Sequence, residues 1–74
     1  MYAKELYAMM LETDKEIELL NCTYERLEKE YNDANTTLQR KLILANMRLE
    51  CQKKLMELYN RSITYKKELI NMYK

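Results

Sequence analysis

Asn32-Asp33-Ala34-Asn35-Thr36-Thr37 is a run of six residues without a large apolar side chain, set between two long periodic segments. Asn and Asp side chains bond their own main chain in turns and tolerate left-handed backbone. Thr36 is followed three residues later by Gln39, the spacing of a capping box that opens a helix. The stretch predicts a helix, a turn, and a second helix folded back on the first. A single continuous helix through residues 32–37, as in a long coiled coil, is the alternative.

Working outward, the preceding segment repeats in sevens. Ala3, Met10, Ile17, Tyr24 and Tyr31 make one row, and Leu6, Thr13, Leu20 and Leu27 the other. These are the a and d positions of a heptad, one stripe along a helix running from about residue 2 to 31. Thr13 and Glu16 repeat the capping spacing and allow a kink there.

The following segment, about 37–74, also repeats in sevens. Its a row is Leu42, Leu49, Met56, Ile63 and Ile70, and its d row Leu38, Ala45, Gln52, Tyr59, Lys66 and Tyr73. A second seam lies beside it: Leu44, Cys51, Leu55, Leu58, Tyr65, Leu69 and Met72. Together the two are wider than one partner helix needs. Folding the chain so that Leu20 meets Leu49 satisfies every a/d layer, with Tyr24 over Ala45, Ile17 over Gln52, and Glu30 near Lys41. On that register the a/d rows close the hairpin, and the last residues, Leu69, Ile70, Met72 and Tyr73, overhang. The seam of Leu44, Cys51, Leu55, Leu58, Tyr65, Leu69 and Met72 is then left to bind a second copy or another protein. On this reading Leu58→Glu dissociates the assembly.

Composition agrees with an all-α single helical-hairpin domain spanning residues 1–74. The 74 residues include no Gly and no Pro, the usual punctuation of hairpins and multi-loop folds. A chain so short gains firm stability from association more readily than from its own core. The architecture expected is an antiparallel two-helix hairpin assembling into a dimeric four-helix bundle. Charge is divided along the chain. Residues 1–34 carry four bases against nine acids, net −5, and residues 35–74 nine bases against three acids, net +6. Opposite blocks attract when laid side by side.

The chemistry-bearing residues are sparse. With no His, the commonest general base and metal ligand is missing. There is no Gly-rich phosphate loop and no CxxC pair, so no catalytic, cofactor or metal residue is assigned and no small-molecule substrate is expected. Cys22 and Cys51 fall at heptad positions f and c, which point away from the a/d seam, and a disulfide between them is not expected. The first residues lack a basic cluster followed by an apolar core, and no apolar run approaches a membrane span, so a cytoplasmic chain is expected. The N-x-[ST] triplets at Asn21, Asn35 and Asn60 are coincidences of an Asn-rich chain.

Two function classes follow. The first is a non-enzymatic protein-protein interaction module, a small adaptor or regulator acting as a homo-oligomer, most simply a homodimer. The second is a nucleic-acid-binding regulator using Arg40, Lys53, Lys54, Arg61 and Lys67 on the outer face of the second helix. A purely structural coiled coil is a third. Gln52 within the seam reads as a register device.

Overall fold

The computed structural model describes residues 2–73. Lys74, expected at the end of the second helix, lies outside them. Two helices, α1 (Tyr2–Asn32) and α2 (Leu38–Met72), pack antiparallel as a hairpin. The body measures 54 × 15 × 14 Å. Its radius of gyration, 16.8 Å, exceeds the ~11 Å of a compact chain of this length.

The turn forms where the sequence places it, through different atoms. Asp33 Oδ1 accepts from the Asn35 amide at 2.8 Å, the side chain mimicking a backbone turn. Thr36 does not cap α2. Its hydroxyl donates to the Glu30 carbonyl at 2.6 Å, satisfying one of the open carbonyls at the end of α1. Thr37 is the N-cap, its hydroxyl accepting from the Arg40 amide at 3.2 Å. No described residue has positive φ. The tolerance of Asn and Asp for left-handed backbone is therefore unused; the Asp33 side chain, the Thr36 and Thr37 hydroxyls and the extended Thr37 turn the chain.

α1 runs unbroken through Thr13. Its hydroxyl donates to the Met9 carbonyl at 2.8 Å, one turn back, so it neither caps nor interrupts the helix. The buried face of α1 follows its heptad: Leu6, Thr13, Ile17 and Leu27 are buried, and Ala3, Met10, Leu20, Tyr24 and Tyr31 are half-buried.

α2 is rotated relative to expectation. Leu44, Cys51, Leu55, Leu58 and Ser62 are its buried residues, with Tyr65 and Leu69 half-buried against α1. Ile17 meets Cys51, Leu55 and Leu58 at the centre of the core, with Leu20 and Tyr24 packed around them. The seam that the a/d reading sets aside for a partner is thus the one that closes the hairpin; only Met72, 43% exposed, stays outside it. The a/d rows, expected to close it, face outward. Ile17 does not lie over Gln52, and Leu49 is exposed.

The rotation has a physical cause in the polar residues between the helices. Ser62 Oγ donates to Asp14 Oδ1 at 2.9 Å. Cys51 Sγ donates to the Leu20 carbonyl at 3.4 Å, and Asn21 Nδ2 to the Tyr59 hydroxyl at 3.2 Å. The Tyr24 hydroxyl accepts from Arg48 Nη2 and from Gln52 Nε2, each at 3.1 Å. Arg48 lies over the rings of Tyr24 and Tyr31, 5.2 and 5.1 Å from their centroids. Turning the a/d row onto α1 carries Ser62, Cys51 and Arg48 away from their partners on α1, whereas a stripe of aliphatic residues selects no particular rotation. At the turn, Glu30 pairs with Arg40 rather than with Lys41, whose ammonium sits over the Tyr31 ring at 5.6 Å. At the open end the helices are nearly flush: Tyr2 donates to Glu68 at 3.3 Å, and Ala3, Lys4 and Tyr7 border a groove with Leu69 and Tyr73.

Candidate functional site

The feature with no function inside the hairpin is the outward face of α2. Leu38, Leu42, Leu49, Met56, Tyr59, Ile63, Ile70 and Tyr73 are all exposed large apolar residues. They follow a 4-3 spacing completed by Ala45, Gln52 and Lys66, also exposed. At 3.6 residues per turn this seam lies about 100° around α2 from the row that meets α1. Apolar stripes of such length mark association surfaces.

Its polar members are held at the edge. Gln52 is bonded to Tyr24, Tyr59 to Asn21, and the Lys66 ammonium lies 3.9 Å from Asp14. All three partners belong to α1. The polar ends of the d row therefore lean toward the hairpin, and the a row from Leu42 to Ile70 keeps an aliphatic surface. Asp14, Glu18 and Asn21 border the groove beside Tyr59 and Ile63.

The seven residues read from the sequence as a partner interface divide clearly. Leu44, Cys51, Leu55 and Leu58 are buried, Tyr65 and Leu69 half-buried, and Met72 exposed. The sequence did carry the signal for the open face: it is the a/d heptad, assigned to the wrong neighbour.

The five cations named for nucleic acid also divide. Arg40 is engaged, its Nε and Nη2 donating to Glu30 at 2.5 and 3.2 Å. That bond holds the Glu30 carboxyl below the ordinary glutamate value of 4.5. Lys53, Lys54, Arg61 and Lys67 are exposed, and none takes part in an ion pair among the described residues. Arg48 carries a buried Nε without a hydrogen-bond partner, an unmet donor at the edge of the core.

Both cysteines are free, Cys22 exposed and Cys51 buried. No group of three or more potential ligands among the described residues could hold a metal ion. Among the described residues, no helix is long and apolar enough to cross a membrane. Family models, curated proteins and solved structures contain no match to this chain.

Proposed function

We propose that this chain is a non-enzymatic interaction module, a helical hairpin that uses the open a/d seam of α2 to dock another helix. It assembles with a second copy into a dimeric four-helix bundle and acts through that assembly as a small adaptor or regulator of another protein. The observation that supports the reading is the exposed seam itself. Surface area supports it as well: the chain exposes 6089 Å², against the ~4,900 Å² expected of a compact monomer of 9.1 kDa. The excess is comparable to the ~800 Å² that each partner buries in a standard interface. A two-fold homodimer is the commonest way to cover such a face.

Sedimentation across a dilution series tests it. The expected result is a species of twice the 9.1 kDa chain mass at micromolar concentration, dissociating with loss of helicity on dilution. A monodisperse, fully helical monomer throughout that range overturns the reading.

A second reading rests on Lys53, Lys54, Arg61 and Lys67, exposed and without carboxylate partners among the described residues. Binding to RNA or duplex DNA with a steep salt dependence, abolished when all four become Glu, makes nucleic acid the partner. Weak binding lost at physiological salt leaves these residues as a solvated face.

A further inference from the structure

We propose that the occupant of the seam is α2 of a second copy, running antiparallel, in the register that sets Met56 beside the partner's Tyr59. The inference rests on the interaction-module reading above and specifies its geometry.

The choice of helix comes from what each helix offers. α2 presents an a/d row without a break from Leu38 to Tyr73, all of it exposed. The outer stripe of α1 has only Leu11 and Leu19 as large members, beside the small Ala8 and Cys22. A face that needs a helical partner with its own heptad finds one in another copy of α2.

Orientation follows from charge. In a parallel two-fold pair every residue meets its own equivalent, so Lys66 faces Lys66 and Gln52 faces Gln52 in the seam. The Lys66 contact sets cation against cation on a helix that is already basic, and the two helix dipoles point the same way. The antiparallel pair removes these oppositions. Lys66 lies over the partner's Leu49, its stem covering the leucine while Asp14 of its own chain holds the ammonium at 3.9 Å.

Register follows from the flank beyond the a row: Gln39, Asn46, Lys53, Asn60 and Lys67. Amides and lysines alternate there from Asn46 onward. With Met56 beside the partner's Tyr59, each Lys53 meets an Asn60 and each Lys67 an Asn46, so no two lysines face each other. The same register sets Ala45 under the partner's Ile70, small against large as interdigitation requires. Slipping by one heptad, so that Met56 meets Gln52, brings Lys53 onto Lys53 at the two-fold axis.

The test is disulfide trapping in a background with Cys22→Ser and Cys51→Ala, helicity being checked by circular dichroism and mass by sedimentation. In the proposed register Leu42 lies level with the partner's Tyr73, and both positions are exposed in the hairpin. Leu42→Cys alone should form no covalent dimer on mild oxidation. An equimolar mixture of Leu42→Cys and Tyr73→Cys should form the mixed disulfide in good yield. Self-linking of Leu42→Cys within a sedimenting dimer overturns the antiparallel orientation and leaves the interaction module standing. A dimer that yields no disulfide in either experiment overturns the proposed register of the α2 pair. A monomer overturns this inference and the reading on which it rests together.

Discussion

Leu55 and Met56 are neighbours in the chain, yet one is 8% exposed and the other 67%. They head two seams on one helix. The Leu55 seam repeats in a 4-3 spacing with Arg48 and Ser62 as its polar members, and it is closed on α1. The Met56 seam has the same spacing, with Gln52 and Lys66 as its polar members, and faces outward. The contrast teaches that apolar regularity does not decide which face a hairpin closes. Two stripes of comparable hydrophobicity compete for α1, and the polar residues at their edges choose between them. From the closed seam Ser62 bonds Asp14, Cys51 the Leu20 carbonyl and Arg48 Tyr24, while Tyr59 and Gln52 reach Asn21 and Tyr24 from the edge of the other seam.

The largest effect that can break this comparison is inside the closed seam. Leu44 is fully buried, and Leu44→Ala should cost about 2–5 kcal/mol, much of the stability of a small domain. Urea denaturation followed by circular dichroism reads it. Leu58→Glu should likewise unfold the hairpin itself, not merely dissociate an assembly, because Leu58 is buried against α1. If either variant keeps its helicity and stability, the closed seam has been misassigned.

A smaller effect is expected from Met56→Glu combined with Ile63→Glu. Each side chain contributes about 1.5–3 kcal/mol when fully buried on association. The double variant should lose the concentration dependence of its thermal midpoint while retaining helical signal at low temperature. Equal losses from this pair and from Leu44→Ala, independent of concentration, would erase the distinction between the two seams.

Ser62→Ala tests the polar selection directly. The bond to Asp14 is short and Ser62 is buried, so the substitution should cost roughly 1 kcal/mol. Thr64→Ala is the control, since Thr64 is exposed and bonds only the Asn60 carbonyl one turn back in its own helix. A cost no greater than the control's would remove Asp14–Ser62 from the residues that set the rotation.

The smallest effect lies at the turn. The hydrogen bond from Arg40 lowers the Glu30 pKa in the folded state. A depressed carboxylate contributes stability above its unfolded pKa and loses it as pH falls through the folded value. The difference in thermal midpoint between the wild type and Glu30→Gln should therefore be largest at neutral pH and shrink below the ordinary glutamate value of 4.5. Both groups are exposed, so the difference at neutral pH should be slight. A difference that grows on acidification contradicts the pairing.

Much of this molecule was legible from residue spacing. The all-α class, the turn, the helix bounds to within a residue or two, and the buried face of α1 all follow from heptads and turn chemistry. Both stripes of α2 were visible as well. Their order was not, because a heptad reading weighs side chains by apolarity alone. Ser62 and Arg48 score poorly in that measure, yet each has a hydrogen-bond partner on α1. Gln52, read as a core polar residue, proved to be an edge residue bonded to Tyr24 for the same reason. The capping threonine was displaced by one position, since Thr36 and Thr37 both carry the hydroxyl and only the path of the chain distinguishes them.

The turn joining α1 to α2 has a kinetic consequence. Only five residues separate the helices, so contacts beside it, such as Glu30 with Arg40, close a short loop at small entropic cost. The contact between Tyr2 and Glu68 closes nearly the whole chain. The hairpin should therefore zip from the turn outward, rapidly, as local-contact topologies do. Opening should run the other way, with amide protection declining from the turn toward the paired termini. In the antiparallel pairing of α2 helices, each copy's early-forming end lies along the other's late-forming end. Each chain would then splint the part of its partner that frays first.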